Sequence, residues 1–132
     1  MLKVSVFVCA LGVALVTYMQ PAAADGSPSS VVGSWSILSN FAPGTLNISS
    51  QSNSGQCQFI TGTVYGDPMQ GFYCVNSGRI QFVRKRPDNN DTIQIWTGNL
   101  SQAGSTLHMG GTFSVVDPAG GSFGEYNFNA DK

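Results

Sequence analysis

Charged side chains are scarce in this sequence, because Asp, Glu, Lys and Arg make up only 10% of its 132 residues. Globular proteins usually reach about a quarter. Six basic residues stand against seven acidic ones, and without Lys3, which lies in the leader described below, the formal charge is −2. A net charge this small and negative argues against nucleic acid as the main partner, since phosphate contacts need many Lys and Arg side chains on one face.

The patterns of catalytic and metal sites are also missing. The single histidine, His108, has no Cys or carboxylate partner at a spacing that would complete a metal site. No G-x-S-x-G sequence supplies the strained turn of a hydrolase nucleophile. We therefore predict a protein that is not an enzyme and that needs neither a metal nor another cofactor.

Long hydrophobic runs are absent except at the start of the chain. Lys3 precedes an apolar run over residues 4–16, and Ala22, Ala23 and Ala24 then form a small-residue cleavage site. The run is too short for a stable membrane span. We predict a signal peptide over residues 1–24, a flexible lead-in over 25–31, a β-barrel domain over 32–132, and a secreted or periplasmic location.

Cysteine is rare, and Cys9 lies inside the predicted leader. The two that remain, Cys57 and Cys74, predict one disulfide in an oxidising compartment, with two separate thiols as the alternative. The bridge needs a special geometry if the chain turns around residues 66–71. Cys74 would then pair near Thr63, and Cys57 would lie roughly 20 Å further along its strand.

No segment has a helical period, whereas short alternating runs recur between clusters of Gly, Asn, Ser and Pro. These runs predict eight strands joined by short turns, so that sequence neighbours pair antiparallel. Closing such a sheet into an all-β, up-and-down barrel removes its edges. The predicted strands are 32–39, 44–49, 58–65, 71–75, 79–85, 92–101, 106–116 and 122–130.

Four motifs resemble those of the calycin barrels, and of avidins in particular. They are Gly33-Ser34-Trp35 on the first strand, Thr61-Gly62-Thr63 on the third, Trp96-Thr97-Gly98 on the sixth and Phe128 on the last. The resemblance covers most of residues 25–132 and implies an avidin-like barrel that binds a small ligand.

The residues by which avidins hold biotin are mostly replaced. Ile37 stands where the family has Asn, Val64 where it has Tyr, and Val83 where it has Trp. Tyr126 stands in place of the last-strand Asp, and no Trp follows Trp96 to be lent to a neighbouring subunit. Each lost partner leaves a polar group of biotin unpaired, at about 1–3 kcal/mol. The resemblance therefore implies a degenerate site without tight biotin binding.

Which face of the strands points inward decides where a ligand could lie, because a shift of one residue exchanges the faces. In one interpretation Trp96 points inward, polar residues line the lumen, and an apolar outer band on strands 5–7 forms a homo-oligomer interface. In the other, the apolar residues fill the barrel and leave no pocket. The candidate lumen residues of the first interpretation are Trp35, Gln94, Trp96, Thr112, Ser114 and Tyr126.

Four basic residues concentrate near one predicted loop, Arg84-Lys85-Arg86 together with Arg79. This group could dock an anionic ligand or a membrane surface, or be a solvated strand end beside Asp88 and Asp91. Overall the sequence favours a secreted, non-enzymatic barrel that binds a small ligand. The alternatives are a protein-directed module, such as an enzyme inhibitor or host-interaction factor, and a lipocalin-type carrier of apolar ligands.

Overall fold

The chain folds into a closed eight-stranded antiparallel barrel, as a computed structural model shows for residues 26–87, 92–117, 119 and 121–132. The predicted signal peptide lies outside the described residues. Each strand pairs with its sequence neighbours, and β1 pairs with β8 to close the barrel. The strands are β1 (Gly33–Ser39), β2 (Ala42–Gln51), β3 (Cys57–Val64), β4 (Asp67–Cys74), β5 (Arg79–Arg86), β6 (Thr92–Ala103), β7 (Thr106–Asp117) and β8 (Gly121–Asp131).

This arrangement confirms the predicted fold class. Within the described residues, no helix is long and apolar enough to cross a membrane.

The β3–β4 hairpin differs from the prediction, because residues 67–70 are strand rather than loop. The turn consists of Tyr65 and Gly66 alone, both with positive φ (54° and 85°), as a type I′ turn requires. Gly71, the first residue of the predicted strand, lies where β4 and β5 approach closely. A Cβ there would come within 2.0 Å of the Gln81 carbonyl oxygen.

The tight turn also removes the geometric obstacle to the disulfide. With the chain reversing at 65–66, Cys57 is directly opposite Cys74 rather than six residues away from its partner. The two cysteines form the predicted disulfide, which links the far ends of β3 and β4. A disulfide is compatible with an extracellular or periplasmic location.

Neither interpretation of the strand faces holds throughout. Trp96 points inward on β6, with Ile95 outward, as in the oligomer interpretation. Trp96 is paired with Phe82 on β5 and Phe113 on β7, however, and directly paired residues share a face. Phe113 is therefore buried inside the barrel, and Thr112 and Ser114, its neighbours along β7, face outward.

Apolar side chains fill most of the barrel. The buried set includes both tryptophans and residues from all eight strands: Trp35, Ile37, Leu46, Ile48, Ile60, Val64, Met69, Tyr73, Ile80, Phe82, Trp96, Leu100, Met109, Phe113, Phe128 and Ala130. The outer surface carries a separate apolar band on β3–β6, formed by Phe59, Phe72, Val83 and Ile95. The band thus lies on β3–β6 rather than on β5–β7.

One end of the barrel, called here the closed end, is covered by residues 26–31. The hydroxyl of Tyr73 donates to the Pro28 carbonyl oxygen (2.6 Å). The indole N–H of Trp35 donates to the Val31 carbonyl oxygen (2.9 Å). Gln51 bonds the backbone of both Ser29 and Val31. The lead-in, which the sequence predicts to be flexible, is therefore held to the barrel by hydrogen bonds within residues 26–31.

Candidate ligand site at the open end of the barrel

The opposite end of the barrel, called here the open end, contains a cavity of about 570 Å³. Strands β1, β3, β5 and β7 finish at this end and β2, β4, β6 and β8 begin there. Its volume falls in the range of small-molecule sites. The walls combine hydroxyl, guanidinium, amide and aromatic groups, among them Ser39, Tyr65, Arg84, Gln94, Phe113 and Tyr126.

Aromatic rings form the floor of this cavity. Trp96 is stacked between Phe82 and Phe113, with ring centroids 5.4 and 4.2 Å away, and meets the edge of Phe128. Phe113 and Tyr126, whose rings are 5.2 Å apart, reach the cavity itself. The floor separates the polar open end from the apolar interior, so that a ligand would rest on ring faces and edges.

Arg84 lies on the wall of the cavity and is held from two sides. Its Nε and Nη2 atoms donate to Oδ2 of Asp67 at 3.0 and 2.6 Å, and its Nη1 donates to Oε1 of Gln94 at 3.0 Å. The residue is only 8% exposed. A buried charge is costly unless it is paired and hydrogen-bonded, and both conditions are met here. The contacts fix the guanidinium and leave the Gln94 amide NH₂ group as a donor at the cavity.

Tyr65 joins the β3–β4 turn to the wall of the cavity. Its left-handed backbone aims the ring across Gly44, where a Cβ would lie 2.2 Å from the ring. The phenol oxygen bonds Ser39 Oγ and the Ala42 carbonyl oxygen, both at 2.7 Å. The Arg84 guanidinium carbon lies 5.0 Å from the ring centroid, a cation–π contact. Turn, ring and guanidinium therefore form one rigid corner of the site.

The predicted lumen residues are only partly brought together. Gln94 and Tyr126 line the cavity and Trp96 lies in the buried floor. Trp35 is at the closed end, away from the cavity. Placing Thr112 and Ser114 in the lumen was wrong, because both line a pocket on the outer surface with Ile95 and Glu125.

The sequence analysis missed Ser39, Tyr65 and the inward direction of Arg84 and Arg86. Strand parity carried a signal for the two arginines, because they continue the inward series begun by Ile80 and Phe82. The basic group does not act as one cluster. Arg79 begins β5 at the closed end, whereas Arg84 and Arg86 line the cavity at the open end.

No protein-family model matches this chain, and no curated protein matches it either. Among the residues that the structure describes, there is no group of three or more His, Cys, Asp or Glu side chains that could hold a metal ion. The described groups at the open end are hydrogen-bond donors and acceptors, aromatic rings and charged side chains. Such an arrangement can bind and orient a ligand.

Proposed function

We propose that this chain is an exported, non-enzymatic barrel protein that binds a small polar molecule at its open end. The observation that carries the proposal is the cavity of about 570 Å³, which has the buried polar side chains of Arg84 and Gln94 in its wall and aromatic rings at its floor. Buried polar groups around an apolar surface are the usual composition of a ligand site. The leader sequence and the disulfide support export.

The filling of the barrel bears on the kind of ligand. A lipocalin-type carrier needs an apolar interior with room for its cargo, and here large side chains occupy the interior beneath the floor. The remaining space is polar on one side, which favours a polar ligand. The avidin-like resemblance supports a barrel that binds a ligand, but Ile37 and Val64 are buried apolar residues at two positions where biotin needs hydrogen bonds. We expect no thermal shift with biotin.

Filling the cavity tests the proposal. Ala42 lines the cavity on β2, and Thr45 is exposed on the same strand without lining it. Thermal-shift screening of the exported form with a metabolite panel should find a ligand that raises Tm; at 100 times its Kd the gain is about 2.7 kcal/mol. Ala42→Trp should abolish the shift and Thr45→Trp should keep it. A shift that survives Ala42→Trp, or no shift with any small molecule, contradicts the proposal.

A second candidate function, a protein-directed module such as an enzyme inhibitor, is favoured by one observation. Phe41 is 92% exposed at the tip of the β1–β2 turn. Exposed aromatic side chains are frequent anchors of protein interfaces. Inhibition assays against a panel of extracellular proteases test it. Inhibition should be lost in Phe41→Ser and retained in Ala42→Trp, and the absence of inhibition in the parent protein would contradict this function.

A further inference from the structure

We propose that the group recognised at the open end is an anion, a carboxylate or a phosphate of the small ligand, and that Arg86 binds it. This inference rests on the proposed function and adds the chemical class of the ligand. It is carried by the different surroundings of Arg84 and Arg86, two arginines that share the inward face of β5.

The guanidinium of Arg84 already has hydrogen-bond acceptors within the protein. Three of its donors are used by Asp67 and Gln94, and its guanidinium packs on the Tyr65 ring. Asp67 offsets its charge at close range. Arg84 is therefore a positioning residue, which holds Gln94 and Tyr65 at the wall of the cavity.

The Nε atom of Arg86 has no such acceptor among the described residues. It lies 3.9 Å from Oδ2 of Asp67, beyond hydrogen-bond distance. That nitrogen is buried. Buried donors are nearly always paired, so an unpaired one indicates a missing acceptor. The Nε atom itself is enclosed, but the side chain as a whole is about one-third exposed and lines the cavity, so that an acceptor there can meet its exposed part.

The charges at this wall favour an anionic acceptor. Within the described part of this wall, a single carboxylate, Asp67, is shared between two guanidinium groups, so that one positive charge is not offset there. The other described acid at the cavity, Asp117, lies on β7 beyond β6, and its Oδ1 accepts the Ala119 N–H. A planar guanidinium can offer two parallel donors to a carboxylate or phosphate. The aromatic floor suits a ligand with a flat apolar part next to its anion.

Matched pairs of probes isolate the charge. Benzoate and benzamide differ in the anion, as do phenyl phosphate and phenol, and each can be titrated into ¹⁵N-labelled exported protein while amide shifts are followed at the open end. We expect benzoate or phenyl phosphate to bind at least about tenfold more tightly than its neutral counterpart. The two anions also distinguish a carboxylate site from a phosphate site.

Variants assign the effect to Arg86. Arg86→Gln should weaken binding of the anionic probe at least about tenfold, and Arg86→Lys should weaken it less, because the charge remains without the planar fork. Arg79→Gln removes the same charge from an exposed position on β5 and should change the affinity less than about twofold.

Failure of this inference differs from failure of the proposed function. Equal binding of benzamide and benzoate at the open end, or an anion affinity unchanged in Arg86→Gln, overturns the anion assignment and leaves the binding cavity standing. The absence of any shift with all four probes overturns it as well, and the cavity is then judged by the metabolite panel and Ala42→Trp. The comparison of probes on the parent protein needs no variant to fold.

Discussion

Phe41 is a large apolar residue in a conformation and a position that both disfavour it. The β1–β2 turn has positive φ at its two central residues, Asn40 (45°) and Phe41 (66°). Such turns strongly prefer Asn followed by Gly. Phe41 departs from that preference and is almost fully exposed. Strained residues of this kind tend to occur at functional sites, and this one borders the open end.

Replacing Phe41 by Gly should therefore stabilise the protein. A side chain in the left-handed region costs about 1–2 kcal/mol, and the extra backbone entropy of Gly returns about 0.5–1 kcal/mol of it. We expect the free energy of unfolding in urea to rise by about 0.5–1 kcal/mol in Phe41→Gly. As a control, Phe72→Gly removes a half-exposed ring from a strand and should lower stability. A lower midpoint for Phe41→Gly would show that the turn is not strained.

The β3–β4 hairpin is the element that gives the open end its rigid corner. At one end the turn at Tyr65 and Gly66 places the Tyr65 ring against Gly44 and Arg84. At the other end the Cys57–Cys74 disulfide fixes the register of the two strands. Because a slip of one residue would reverse every side chain of the hairpin, this covalent link also protects the geometry of the site.

Loss of the disulfide should weaken the whole barrel. Disulfides usually contribute about 2–4 kcal/mol. We expect the double variant Cys57→Ser/Cys74→Ser to lose about that much stability in urea unfolding, and the parent protein to lose a similar amount in reducing buffer. The reducing agent should have no effect on the double variant, which serves as the control. Equal stability of the oxidised and reduced parent would contradict the expectation.

The elements could be predicted from the sequence more easily than the site. Alternation and turn residues identified eight strands, because every strand has one face inside and one outside. Alternation and turn residues failed at residues 67–70, which were predicted as part of the turn and belong to β4. Alternation along β7 separated Met109 and Phe113 from Thr112 and Ser114, but it could not choose between the two interpretations, and the pairing of Trp96 with Phe113 makes the choice. The Arg84–Asp67 pair joins two strands and has no local signal.

At the scale of the molecule, the barrel is closed at one end by its own N-terminal segment. The Tyr73 hydroxyl that bonds Pro28 is buried, and burial raises the pKa of this phenol, although a hydrogen bond from the Ser27 side chain acts in the opposite direction. A raised pKa means that folding favours the neutral phenol. Its contribution to stability is complete below the unfolded pKa of about 10 and is lost as the pH rises through the folded value.

This linkage predicts an alkaline transition. The free energy of unfolding should fall more steeply above about pH 10 in the parent protein than in Tyr73→Phe, which cannot ionise. Chemical unfolding measured between pH 8 and pH 11.5 compares the two slopes. Parallel slopes would mean that Tyr73 titrates alike in the folded and unfolded chains.

The outer apolar band of Phe59, Phe72, Val83 and Ile95 predicts self-association, because soluble monomers seldom expose such a surface. We expect size exclusion with light scattering to show an oligomer that Phe72→Glu converts to a monomer. Asn127→Glu places the same charge at an exposed position on β8 and should leave the oligomer intact. A monomeric parent protein would contradict the prediction.

The barrel is closed by the pairing of β1 with β8, which is its shortest ladder. In it Ser36–Ser39 of β1 pair with Phe128–Asp131 of β8. We expect the hydrogen bonds of this ladder to break first. The barrel would then become an open sheet with β1 and β8 as unpaired edge strands. Those edges can pair with the edges of another unrolled chain. At high concentration the protein would in that case form domain-swapped oligomers or aggregates through β1 and β8. The hairpin that carries the Cys57–Cys74 disulfide would stay intact in each copy.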